Sequence, residues 1–291
     1  MNKLTLLILT TIITFTFINC GGGEKAEDSD EIDSVKTEKQ TTEKSSEISF
    51  QVPSPGEMLS FIKVVGGKNN KNISFLNPIS NEKKYTSNKL KVINFGIYSC
   101  DLSYCSIFEM GSESLKYFKL IKTMGDEIGV SSAIKPELLK RIEKNIGNSD
   151  SLAFITDDVY LSSFETLEDS KQGSTLALVV AGGWLESLFI ATNLAVYEEN
   201  SPVISRLADQ KYTLENLIDF FKKYEENQDV MNVRKDFDGL LLEYNKIPLK
   251  DAADSKSVNG KKSQDLVMSA EVFKNIAEKI KALRNSYALN N

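Results

Sequence analysis

Between residues 268 and 287 the apolar side chains fall at Met268, Val272, Ile276, Ile280, Leu283 and Tyr287. Steps of four and three make one continuous stripe on a helix, whereas a strand would scatter them over both faces. The same spacing returns at Leu115, Phe118, Ile121, Met124 and Ile128, at Leu138/Leu139, Ile142 and Ile146, and at Leu214, Leu217/Ile218 and Phe221. The punctuation agrees. Ser54-Pro55-Gly56-Glu57 has the form of a capping box with proline at the first helical position, and Pro136 and Ser201-Pro202 open two further helices. Gly66-Gly67, Gly129, Gly147 and Gly173 each follow a periodic run, where a left-handed cap favours glycine. Alternating strand patterns are nearly absent; Asn259-Gly260 lies in a charged stretch, residues 250–264, read as an exposed loop, and Asp238-Gly239 lies inside a helical pattern. The spacing therefore predicts an all-α fold, a single antiparallel bundle of about eight to ten helices over residues 50–291.

Two segments are apolar beyond a single stripe, residues 91–110 and 175–197. Helices hydrophobic all round are usually central to a core. The second is long enough to span a bilayer, but Glu186 and Asn193 lie within it and no basic cluster flanks it. A central charge is costly in lipid, so a core helix is the expectation.

The first twenty residues form a different kind of segment. A lone Lys3 precedes a charge-free, mainly apolar run over residues 4–18, then Asn19, Cys20 and three glycines. That run is short of the roughly 20 residues a stable spanning helix needs and has the layout of an export signal. Phe17-Ile18-Asn19-Cys20 resembles the lipobox of bacterial lipoproteins, with Asn19 standing where the usual pattern has Gly, Ala or Ser. The resemblance implies a signal peptide over residues 1–19, lipid attached to the Cys20 thiol and a membrane anchored through two or three acyl chains, enough for durable attachment. Residues 20–49 are rich in Glu, Lys, Asp, Ser and Thr with few apolar side chains, the composition of a disordered acidic tether. About thirty such residues reach roughly 30 Å as a random coil. Net charge is −6, with no histidine and no basic patch, which argues against nucleic acid and against adsorption on anionic lipid.

Asn94-Phe95-Gly96-Ile97-Tyr98-Ser99-Cys100-Asp101-Leu102-Ser103-Tyr104, the helix that follows, and Gly183-Trp184-Leu185-Glu186-Ser187 are together similar to a group of helical lipoproteins from Bacteroidetes-type bacteria. The similarity covers the chain from about Met58 onward. It implies a lipoprotein of the cell envelope and a helical fold, and carries no activity with it.

The lack of histidine removes Ser-His-Asp and Cys-His catalysis, His-ligated metals and the usual pH switch. No phosphate-cradling glycine loop or calcium loop is present, so no cofactor, metal or catalytic residue is expected. Cys100 and Cys105 would be about 8.7 Å apart on a continuous helix, beyond the about 7 Å a disulfide tolerates. They read as free buried thiols; a disulfide would require the helix to break near Asp101. The polar residues inside the two apolar segments remain, Tyr98, Asp101 and Tyr104 on one and Trp184 and Glu186 on the other. If the two helices touch, the buried carboxylates need partners, such as tyrosine hydroxyls, Arg206, Arg234 or a ligand. These five residues are either a buried network that fixes helix register or the lining of a ligand pocket. The expected role is binding or structural, toward an envelope protein or a small molecule, with oligomeric state open. The alternatives are a carboxylate-dependent hydrolase of envelope glycans and an envelope assembly factor with an exposed apolar patch.

Overall fold

The computed structural model describes residues 54–66, 71–130, 136–145, 148–249, 257–258, 261–262 and 266–289. The segments read as signal peptide and tether, with Cys20, Gly67, Ile146 and Gly147, lie outside them. Nine α-helices are described: α1 (Pro55–Gly66), α2 (Asn88–Ile107), α3 (Gly111–Ile128), α4 (Pro136–Lys144), α5 (Ser149–Asp169), α6 (Gly173–Leu194), α7 (Pro202–Lys222), α8 (Gln228–Tyr244) and α9 (Ala270–Ala288), with a short 3₁₀ helix at Ile79–Lys84. The all-α bundle read from apolar spacing is what the chain forms.

The local signals do what their chemistry suggests. The Ser54 backbone N–H donates to Glu57 Oε2 at 2.8 Å and the Glu57 N–H to Ser54 Oγ at 3.1 Å, a reciprocal capping box. At α2, α5, α7, α8 and α9 the cap is one-sided, the side chains of Ser87, Asn148, Ser201, Asn227 and Ser269 accepting first-turn backbone N–H groups. Gly129 ends α3 in the left-handed region, φ 81°. Gly173 differs from expectation: it opens α6 instead of closing the previous helix, and Lys171 takes the left-handed conformation, φ 59°. Glycine is needed at 173 for space, since a Cβ there would lie 2.3 Å from the Tyr224 ring. Within the charged stretch read as a loop, two residues on each side of Asn259-Gly260 pair: β1 (Ser257–Val258) runs antiparallel to β2 (Lys261–Lys262).

Helices α2 and α6, the two segments apolar beyond one stripe, form the largest helix–helix interface of the fold. Every residue over 92–107 and over 176–191 is buried. α6 is long and apolar enough to cross a membrane, but 89% of its most apolar window is buried against protein, as a core helix requires. The two backbones meet at glycines: a Cβ on Gly96 would lie 2.1 Å from the Val179 carbonyl oxygen, and one on Gly182 2.0 Å from that of Ile93. Six helices pack around this pair, α1, α3 and α5 against α2 and α7, α8 and α9 against α6, while α4 lies outside them on α3 and α5. α2 is unbroken at Asp101, so Cys100 and Cys105 stay free and buried. Burial pushes both thiols well above their ordinary pKa, the setting of an inert thiol.

Candidate functional site

Asp101 on α2 and Glu186 on α6 are each 0% exposed, and Arg284 from α9 joins them at 3%. Arg284 Nε donates to Glu186 Oε2 at 2.7 Å and Nη2 to Oε1 at 2.9 Å, a bidentate pair whose planar fork matches the carboxylate. Nη2 also reaches the Phe75 carbonyl at 3.4 Å, and the guanidinium carbon sits 4.5 Å from the centre of the Phe189 ring. Burial opposes the guanidinium charge, but the adjacent Glu186 outweighs it and raises the Arg284 pKa. The ion pair clamps the C-terminal end of α9 to the middle of α6.

Asp101 completes the charge balance. Its Oδ2 accepts the Asn77 N–H at 3.2 Å, and its Oδ1 has no hydrogen-bond partner among the described residues. Two buried carboxyls near one another resist carrying two charges. Burial first, then the Glu186 charge, push the Asp101 pKa well above the usual carboxylate range, against the opposing pull of Arg284 and the Asn77 N–H. Asp101 is therefore favoured as a neutral acid beside the Glu186–Arg284 ion pair.

Asn77 is the hub around this centre. Its Nδ2 donates to Tyr85 Oη at 2.8 Å and to Asn94 Oδ1 at 3.1 Å, its Oδ1 accepts from Asn81 at 2.9 Å, and its carbonyl accepts the Tyr117 hydroxyl at 3.1 Å. Tyr85 passes its own proton to the Ala288 carbonyl at 2.8 Å, and Asn94 donates to the Tyr287 carbonyl at 3.0 Å. The last turn of α9 thus has its exposed carbonyls capped by side chains from the N-terminal half.

The five residues singled out from the sequence do not gather at one point. Asp101 and Glu186 meet. Tyr98 lies at the edge, donating to the Pro78 carbonyl at 2.9 Å and facing Tyr85 Oη at 3.5 Å. Tyr104 bonds the Asn72 carbonyl at 3.0 Å and packs edge-on to Phe75. Trp184 points away: two residues from Glu186 is about 200° around a helix, and its Nε1 donates to Gln210 of α7 at 3.2 Å beside Phe237. Nor do Arg206 or Arg234 supply the cation. Arg234 sits 3.8 Å from Asp238 on its own helix, and Arg284 takes the role instead. Arg284 could have been found, since it stands four residues after Ile280 and three before Tyr287, on the apolar stripe of α9.

Chemically, the centre is a fastener. A glycosidase needs two carboxyls reached by a sugar bond between them, whereas these two are sealed from solvent and Glu186 is paired with Arg284. Among the described residues no group of three His, Cys, Asp or Glu side chains could hold a metal. An open groove of about 390 Å³ lies elsewhere, between α4 and α5, with the 68% exposed Phe154 beside Arg141, Asn145 and Asp150. Comparison with protein-family models, with curated proteins and with solved structures finds no match.

Asp101→Asn tests the proton assignment. Asparagine keeps the acceptor for the Asn77 N–H and offers Nδ2 to Glu186 without needing a proton. The sign follows from linkage: a carboxyl raised in the fold contributes stability fully present below its unfolded pKa, lost as pH rises through the folded one. Denaturant unfolding should show the wild-type losing stability on this account as pH rises above about 4, the unfolded carboxyl range. The variant should stay within about 1 kcal/mol at neutral pH and lose less over that rise.

Proposed function

We propose that the chain is a lipid-anchored bacterial envelope protein, a helical body carried on the tether of residues 20–49 and acting by binding or structural support, not catalysis. The observation that carries this reading is Cys20 placed after the apolar run of residues 4–18 and before three glycines. The body supports it in a second way. The two carboxyls singled out for a hydrolase, Asp101 and Glu186, are sealed in the core, and Glu186 is paired with Arg284. The acidic balance of the chain favours a body held away from anionic headgroups on a leash over one adsorbed to them. The specificity of binding belongs to the surface of the bundle.

Metabolic labelling with radioactive palmitate tests the anchor. Label should enter the wild-type protein and co-fractionate with membranes, and Cys20→Ser should abolish both. A wild-type protein that never takes up label overturns the reading. Affinity capture from the native envelope, with the Cys20→Ser form as control, then identifies what the body binds.

A further inference from the structure

Helix α5 turns one uncovered face to solvent. Leu152, Ile155, Val159 and Leu167 are buried against the bundle, and the opposite side of the helix carries Asp150, Phe154, Asp158, Leu161, Glu165 and Glu168. Steps of four and three again make one stripe, this time directed outward. Phe154 is 68% exposed and Leu161 47%. One exposed apolar side chain needs no explanation. Two of them seven residues apart stand on one line, roughly 10 Å along the helix. Phe154 also walls the open groove between α4 and α5, which Arg141 and Asn145 close from the α4 side.

The charge on this face selects its occupant. From Ser149 to Asp169 the helix contains no Lys or Arg, and every charge it carries is negative. Among the described residues, the cation paired with the stripe is Arg141 of α4, 3.0 Å from Asp158. Asp150, Glu165 and Glu168 keep their charge uncancelled around Phe154 and Leu161. A second copy seated on the same face would set acid against acid, and like charges across an interface cost affinity. Anionic headgroups are repelled for the same reason. The complement is a helix with its own apolar stripe and a margin of Lys or Arg. Its apolar side chains cover Phe154 and Leu161, and its cations reach the acids around them.

We infer that the outer face of α5, with the groove against α4, is a docking surface for a basic amphipathic helix of a partner protein. It gives the binding role proposed above a place on the body; it rests on that role and not on lipid at Cys20. Phe154 is the anchor, since an exposed aromatic ring that becomes covered carries a large share of an interface's affinity. Asp150, Glu165 and Glu168 set the sign of the partner's charge and speed the encounter.

The test titrates full-length protein in nonionic detergent against a fluorescent synthetic peptide of leucine and lysine at helical spacing, read by anisotropy with detergent alone as blank. The lysine peptide should bind, and its counterpart with glutamate for lysine should not. Phe154→Ser with Leu161→Ser should weaken binding about tenfold or more. Glu165→Lys with Glu168→Lys should do the same and flatten the salt dependence. These four side chains are at least partly exposed, so the variants should keep the wild-type circular dichroism. Glu271→Lys with Glu278→Lys on α9, also exposed, should leave binding unchanged. Absence of binding, or a loss no greater in the α5 variants than in the α9 variant, overturns the proposal. So does a dimer in sedimentation that Phe154→Ser with Leu161→Ser returns to monomer, which makes the occupant a second copy. Either failure leaves palmitate labelling of Cys20 unaffected, so the anchor stands or falls separately.

Discussion

Arg284→Met is expected to lower the unfolding free energy by about 3–5 kcal/mol, the cost of stranding one member of a buried ion pair. For a body of this length that is a fall of roughly 6–20 °C in melting temperature. Methionine fills much of the space of the arginine stem and keeps contact with Phe189, so the loss reports the charge and its hydrogen bonds more than a cavity. What remains is Glu186 without the two Arg284 N–H donors, buried in the core. Replacing both partners together, Glu186→Leu with Arg284→Met, should recover a large part of the loss, since an apolar pair of similar volume needs no solvation. A double-mutant cycle by denaturant unfolding measures the interaction directly. An Arg284→Met deficit below about 1 kcal/mol would mean the pair is not what fastens α9 to the core.

That fastener shows where sequence reasoning stopped. The helices could be read because each exposes its period locally: the stripe of α9, the proline and capping box of α1 and the dense apolar runs of α2 and α6 need no knowledge of neighbours. That α2 and α6 are central was legible from both being apolar on all sides, whereas their contact was only a condition and the partners named for Asp101 and Glu186 were other residues. The rest of the centre is long-range. Glu186 and Arg284 are 98 residues apart, and Tyr85 bonds the Ala288 carbonyl 203 residues away. Asn77 lies in irregular chain, where no period marks it as buried. Trp184 was misplaced because a helix buried all round offers no face to choose between; only its neighbours, Gln210 and Phe237, settle its direction. A charged residue on an apolar stripe was the one local clue to a partner in α9.

The second large effect is Gly182→Ala, with Gly96→Ala its counterpart across the interface. In most helices this change stabilises by about 1 kcal/mol, because alanine restricts the unfolded chain. Here the sign should reverse. The new methyl would lie 2.0 Å from the Ile93 carbonyl oxygen in one case and 2.1 Å from that of Val179 in the other. Both obstacles are backbone, which cannot rotate aside, so α2 and α6 must separate along the interface that organises the fold. Overpacking usually costs about 1–3 kcal/mol, and with backbone as the obstacle each variant should fall at about 3 kcal/mol or beyond. Two other helical glycines supply the controls. At Gly183 the nearest atoms to a Cβ are 3.5 Å away, and at Gly239 the nearest is Lys279 Nζ at 3.6 Å, ordinary contact in both cases. Gly239→Ala should therefore stabilise by roughly 0.5–1 kcal/mol, and Gly183→Ala should be tolerated although it adjoins the position where alanine is not. Thermal unfolding of the four single variants measures the contrast. Equal behaviour at 182 and 183 would show that α2 and α6 do not meet through their backbones.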